Sequence, residues 1–224
     1  MIVTAHQPVF LPYLGVVRKI IDSDCLVYLD DVQYVRRGYM NRNKILTVDG
    51  PKWLTVPVKK CPRDTPILKV PISYDVDWIN TIEGTLLHVY GNAPYFDAVF
   101  DLVHGVLLQK PQWLWELNTM LLEVVLNYFA LDRVIVRGSM YDTVDDPTLR
   151  IVSLVEEQKG TIYLSGANGR KYMDSAVFED RNIGLVFQDY TCLPYRQFNN
   201  EGEFVPYMSV LDYMMNMGND ISLI

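Results

Sequence analysis

The amino-acid sequence predicts an α/β protein, a mostly parallel sheet flanked by helices, with a helical section in the middle of the chain. Three observations carry this. Short apolar runs end in polar or charged side chains, helix-spaced apolar stretches lie between them, and residues 78–131 carry apolar positions three and four apart, broken at Pro94 and Pro111. Alternation of strands with helices implies parallel pairing, because parallel neighbours need a crossover.

Ile2–Ala5 is an apolar run closed by His6-Gln7-Pro8, a buried first strand whose far end carries polar groups. Pro12 opens a helix in which Leu14, Val17, Ile20 and Ile21 recur at helical spacing until Asp22-Ser23-Asp24 stops it. Leu26–Leu29 is a second strand, closed by Asp30-Asp31, and Trp53–Val58 a third, closed by Lys59-Lys60-Cys61-Pro62. Trp78–Leu108 and Trp113–Leu131 read as several helices. Val134–Val136 is then a strand, Thr148–Gln158 a helix, Ile162–Leu164 and Leu185–Phe187 strands, and Tyr207–Met217 a last amphipathic helix. No repeat, low-complexity tract or long linker asks for a boundary, so residues 1–224 read as a single domain.

Half the residues are hydrophobic and 21% charged, a balance that folds rather than staying disordered. A net charge of -7 excludes a surface that tracks nucleic acid or anionic lipid throughout, so any anion site must be local. Cys25, Cys61 and Cys192 form no CxxC pair, which argues against a disulfide framework or a thiolate zinc site and fits a reducing compartment. The start has no basic segment followed by a long apolar one, and no apolar run is long enough to cross a membrane, so the sequence places the protein in the cytoplasm.

Charge is unevenly distributed. From Arg36 to Lys69 there are nine basic residues against two acids, Asp49 and Asp64, in a stretch that reads as loop-rich. Arg and Lys match phosphate oxygens, although charge runs also face water for no further reason. Within this stretch, Asn41-Arg42-Asn43 sets two amides around a guanidinium, a poor core pattern and a useful one for holding a polar ligand.

His6 follows a strand, where parallel sheets face their ligand crevice, and an imidazole titrating near neutrality suits a general base or a donor to phosphate. His88 and His104 lie in helical apolar patterns and read as structural. Asp30 and Asp31 are open to binding a metal, orienting a base or capping a turn. Ser165-Gly166 with Asn168 and Gly169 is either a tight turn or a set of backbone N–H donors for an anion, with Tyr172 and Asp174 close behind. No GxSxG elbow, P-loop, HExxH or dinucleotide fingerprint is present, and no metal site is assigned.

Several of these segments together resemble the WbqC-like family: His6-Gln7-Pro8 with Phe10-Leu11-Pro12-Tyr13-Leu14-Gly15 and Lys19, then Ser23-Asp24, Leu29-Asp30-Asp31-Val32-Gln33, Asn41-Arg42-Asn43 with Ile45, Trp53-Leu54-Thr55-Val56-Pro57-Val58, Tyr163-Leu164-Ser165-Gly166 with Tyr172, and Ser209 with Asp212. The position after Gly15 is Val16 where an aromatic residue is expected. The resemblance implies a transferase of surface-polysaccharide (O-antigen) biosynthesis, moving glycine or another aminoacyl group to a sugar or other phosphate-bearing acceptor. It further implies His6, Asp31 and Lys19 as catalytic, and Gln7, Gly15, Gln33, Arg37, Asn41, Arg42, Asn43, Ser165, Gly166 and Tyr172 as substrate-binding. The small anionic substrate would be a nucleotide-sugar or activated amino acid.

A strand leading through a Pro-rich loop and Gly15 into a helix is also partly similar to the nucleotidyltransferase superfamily, although neither histidine of that superfamily's HxGH-type signature is present. That alternative brings a nucleoside triphosphate with magnesium as cofactor. Nucleic-acid binding along the basic stretch and a non-catalytic assembly role stand further back. The mechanistic expectation is that His6 and the Arg42 segment converge on one pocket.

Overall fold

In the computed structural model, residues 1–142 and 144–224 are described. In chain order the elements are β1 (Ile2–His6), α1 (Leu14–Ile21), β2 (Cys25–Tyr28), β3 (Arg42–Thr47), β4 (Gly50–Thr55), α2 (Trp78–Tyr90), α3 (Phe96–Leu107), α4 (Leu114–Tyr128), β5 (Val134–Arg137), α5 (Pro147–Glu157), β6 (Ile162–Ser165), α6 (Ser175–Glu179), β7 (Gly184–Phe187) and α7 (Val210–Met217). They divide between two units, the first comprising Met1–Gln7, Arg18–Val32 and Asp132–Thr191, the second Pro8–Val17, Gln33–Leu131 and Cys192–Ile224.

The first unit holds a five-stranded sheet in the order β5-β2-β1-β6-β7, every neighbouring pair parallel. Strands covered on both faces must be apolar along their whole length, which is why Val3, Cys25, Leu26 and Val27 are buried in succession. The chain winds outward from β1 to β2 and β5, then returns to add β6 and β7 on the other side of β1. Right-handed crossovers in opposite directions place α1 on one face and α5 and α6 on the other. The latter face is packed by Val3, Ala5, Val27, Val152, Val155, Tyr163 and Phe178. Asp146 starts α5 by accepting from the main-chain N–H of Thr148 (2.9 Å) and Leu149 (2.8 Å), with Pro147 in the first turn. The expected mostly parallel sheet flanked by helices is the observed architecture, and its order, winding both ways from β1, is that of a doubly wound sheet.

In the second unit, β3 and β4 form an antiparallel hairpin closed by the Thr47–Gly50 pair, with Gly50 at φ 100°. This corrects one expectation: the strand expected at Trp53–Val58 is a hairpin strand ending at Thr55 rather than a member of the parallel sheet. The helical section is as expected, with α2, α3 and α4 interrupted around Pro94 and Pro111. The last helix begins at Val210 rather than Tyr207. The N–H of Ser209 is given to Lys44 O (2.8 Å) and that of Val210 to Pro12 O (2.6 Å), so the chain is held extended until there.

Buried polar side chains tie this unit together. Asn43, 2% exposed, donates to the carbonyl of Leu11 (2.6 Å) and accepts from the N–H of Lys44 (2.8 Å). Leu11 sits at φ 44°, a conformation unfavourable for a side chain with a Cβ, and the amide clamps it there. The Asp212 carboxylate accepts from the hydroxyls of Tyr90 and Tyr195, the latter at 2.6 Å. Asn43→Ala, which strands a buried carbonyl and a buried N–H, is expected to cost about 2–3 kcal/mol in denaturant unfolding. Val48→Ser at the 80% exposed hairpin tip is expected to stay within about 0.5 kcal/mol of the parent.

Candidate functional site

An open parallel sheet offers a crevice where the winding reverses, because the two crossovers leave from that point to opposite faces. Here the reversal falls between β1 and β6. At their carboxyl ends stand His6 and Gln7 from one strand and Ser165 and Gly166 from the other.

Lys19 enters from the last turn of α1. Its side chain is 3% exposed, and Nζ donates to the carbonyl of Ala5 at 2.9 Å. A Cβ on Gly166 would lie 4.0 Å from the same nitrogen, so the ammonium stands beside the ends of both central strands. Among the described residues no carboxylate pairs with it. Burial lowers its pKa from 10.5 to about 8, so the group is charged at neutral pH and lacks a counter-ion. At about 1.4 kcal/mol per pKa unit, that burial costs on the order of 3 kcal/mol.

His6 closes β1 with its side chain partly exposed. Nδ1 is 2.8 Å from the carbonyl oxygen of Gln7. A carbonyl can only accept, so Nδ1 carries the proton and Nε2 keeps its lone pair. The surroundings move His6 away from the expected titration near neutrality. Burial first and the Lys19 charge second lower the pKa to about 3, against a smaller opposing effect of the Gln7 bond. The ring is therefore a neutral base and not a cation.

The acids at the end of β2 are already engaged. Asp30, fully buried, accepts from Arg137 Nε (2.7 Å), Ser139 N (3.0 Å) and Ser139 Oγ (2.8 Å), and Asp31 pairs with Arg150. They bind the turn after β5 and the helix that follows it. Ser165 Oγ, 2% exposed, donates to Gly166 O (3.0 Å) and occupies the space that a Cβ on Gly169 would need, at 2.1 Å. Tyr172 follows at 58% exposure, and Asp174 caps α6 by accepting from Ala176 N (3.0 Å).

The remaining sequence candidates belong to the second unit. Asn41 and Asn43 are core residues, contrary to the expectation of a poor core pattern: Asn41 donates to Val56 O (2.8 Å), Asn43 to Leu11 O, and neither amide is displayed for a ligand. Arg42 donates to the carbonyl of Arg37, which lies at φ 61°, and stacks 4.1 Å over Trp53. Gln33 donates to Arg63 O (2.6 Å), and Gly15 is buried within α1. So the structure brings His6, Gln7, Lys19, Ser165 and Gly166 to the strand ends of one unit, while Gln33, Arg37 and Asn41–Asn43 are organised around the hairpin of the other. Arg137, Arg150 and Trp53 were not foreseen. Their partners are distant in sequence, and no local pattern announces such pairs.

Among the described residues no cluster of three or more His, Cys, Asp or Glu side chains is arranged to hold a metal, the three cysteines are free thiols, and no helix is long and apolar enough to cross a membrane.

Fold and site define a doubly wound α/β protein with a buried cation at its sheet switch point. The chain belongs to the WbqC-like protein family, which matches residues 7–222. It is similar to an uncharacterized protein of Mycobacterium tuberculosis (strain ATCC 25618 / H37Rv), 29% identical over 214 residues that cover 95% of this chain and 92% of that one. No solved structure matches.

Two outcomes follow for the site. Between pH 8 and 10.5 the unfolded chain binds more protons at Lys19 than the folded one, so this residue's contribution to stability rises with pH across that window. Lys19→Met is expected to remove that alkaline rise and to equal or exceed the parent's stability at neutral pH in denaturant titrations. For His6 the unfolded chain binds the extra proton between pH 6.5 and about 3, so stability is full above 6.5 and is lost as pH falls. His6→Asn is expected to flatten the acid limb by about 2 kcal/mol at about pH 5, and proton NMR of the parent is expected to show a neutral His6 ring there.

Proposed function

We propose that the protein is a cytoplasmic transferase acting on a phosphate-bearing substrate whose anionic group lies against Lys19. The observation that carries this is a charged, 3% exposed ammonium at the sheet switch point with no carboxylate partner among the described residues. An uncompensated buried charge is destabilising, and an anionic ligand is the natural compensation. In this reading, Gly166 leaves room beside Nζ for a phosphate oxygen, and Ser165 and Gln7 line the approach.

His6 then acts as general base through Nε2, with Nδ1–H fixed by the Gln7 carbonyl. Its low proton affinity comes first from burial and second from the neighbouring Lys19 charge. An anion that neutralises Lys19 removes the second contribution and so raises the proton affinity of His6 when substrate is in place. Nε2 takes the proton from the attacking hydroxyl or amine of the acceptor as its bond to the acyl carbon of the activated amino acid forms, and the bond from that carbon to the activating group breaks, the leaving group departing with the electron pair. Asp31 acts at one remove, through its pair with Arg150. Family membership favours transfer of glycine or another aminoacyl group to a nucleotide-linked or phosphorylated sugar in surface-polysaccharide synthesis.

A second reading is favoured by the strand order, which with its reversal beside β1 is that of a doubly wound nucleotide-binding sheet. A nucleotidyltransferase-like enzyme would seat the phosphates of a nucleoside triphosphate at the same Lys19 and activate a carboxylate. Calorimetry with magnesium-ATP and with UDP-N-acetylglucosamine separates the two. Binding of the sugar nucleotide alone supports the first reading, and binding of ATP with pyrophosphate release in the presence of glycine supports the second. Lys19→Met is expected to abolish either binding signal; equal heats in parent and variant would remove the anion site. In whichever assay shows turnover, His6→Ala is expected to lower kcat by about 100- to 10,000-fold.

A further inference from the structure

A groove of about 420 Å³ lies wholly within the second unit, between β4 and the first turns of α2. Trp53, Leu54 and Thr55 form one wall, and Trp78, Ile82 and Thr85 the other. The sheet has two strands, so β4 has one edge paired with β3 and one edge unpaired by it.

The direction of the main-chain groups on that edge follows from the register. Val56 N donates to Asn41 O at 2.8 Å, so Asn41 and Val56 form a hydrogen-bonded pair, and alternation makes Asn43–Leu54 and Ile45–Lys52 the next such pairs. Trp53 and Thr55 therefore turn their N–H and C=O away from β3, toward the groove. Farther along, the chain's own segment already uses this outward edge: Ser73 N donates to Pro57 O and Lys59 N to Pro71 O, both at 2.9 Å, around the Val58–Ile72 bridge. That added strand departs at Tyr74, one position short of Asp75, which the register would set opposite Thr55, and the chain enters α2 instead. The ladder stops where the groove begins. At the far end Pro51 offers no donor, which bounds the site at Trp53.

We infer that this groove binds an extended acidic peptide, which continues the ladder begun by Pro71–Ser73 along the Trp53–Thr55 edge. Main-chain pairing supplies the backbone contact, and the apolar floor of Leu54, Trp78 and Ile82 takes an alternate side chain. Charge selects the acidic partner. Arg42, Lys44, Lys52, Lys59 and Lys60 lie on or next to the two hairpin strands, and of the acids nearby, Asp77 is held by Asn80 as the cap of α2.

The test uses the full chain and fluorescein-labelled peptides of alternating glutamate and valine, read by anisotropy. A strand on an edge directs every second N–H toward it, so N-methylation of the valine amides and of the glutamate amides must have unequal effects. Strand addition predicts that one methylated peptide binds about tenfold more weakly than the other, the size of a main-chain hydrogen bond or two. Thr55→Pro removes the outward donor without touching the β3 ladder, and Thr85→Trp fills the groove from the helix side. Both are expected to weaken binding by a similar factor, and the amides of Trp53 and Thr55 are expected to exchange more slowly when the unmethylated peptide is present. No binding, equal binding of both methylated peptides, or full binding to Thr85→Trp with displacement by a single-stranded oligonucleotide would overturn the inference, the last assigning the affinity to the basic surface alone.

Discussion

The five residues of β1 are the constraint on which the first unit depends. This strand is hydrogen-bonded along both edges by parallel neighbours, and it is the strand from which the chain winds outward and to which it returns. Two crossovers leaving in opposite directions cannot close the space above the same strand end. The gap between β1 and β6 is therefore a product of topology. What fills it is a matter of sequence, and this sequence fills it with an imidazole at the end of β1 and an ammonium reaching in from α1.

Lys19 sits in what would otherwise be an apolar stripe, between the buried Val16 and Ile20. A leucine or methionine there would pack as well and avoid desolvating a charge. Keeping lysine costs stability, and such a cost is expected where a group must be held ready for a ligand. The neighbouring imidazole is kept neutral by burial first and by that positive charge second. In the proposed reading, arrival of negative charge compensates the ammonium and removes its share of the imidazole's penalty, a coupling through electrostatics alone.

Much of the first unit was legible because strands buried on both faces leave uninterrupted apolar runs. Val3 to Ala5, Leu26 to Tyr28 and Ile162 to Leu164 could be read without partners. The hairpin was less legible. Arg42, Lys44 and Ile45 do alternate, and Asp49-Gly50 is a turn signal, but Asn43 occupies an inward position where period-two reading expects an apolar residue. Its amide is there to satisfy the carbonyl of a residue held at positive φ, a need that arises only once Leu11 and β3 meet. The division into two units was hidden for a related reason: one boundary falls inside α1, between Val17 and Arg18, where the helical periodicity runs on unbroken. His6 was visible as a candidate, whereas its charge state was not, since that depends on burial and on a lysine thirteen residues away.

Burial of an ionisable group does not by itself mark a site, and Asp212 shows why. It is 1% exposed, and desolvation raises its pKa, against which hydrogen bonds from Tyr195, Tyr90 and Gln197 pull the other way. Its oxygens are met from α2 and from the segment preceding α7, and Tyr90 in turn accepts from Leu46 N at 3.3 Å. Each donor in this cluster has an acceptor within the fold, so the cluster is complete without a ligand and acts as a fastener between α2, β3 and α7. Lys19 is buried to a similar degree, but among the described residues it has one carbonyl for its three donors and no opposite charge. The difference lies in what remains unsatisfied. By that criterion the switch point of the first unit, and not the polar centre of the second, is the place where the proposed anion would supply what the fold does not.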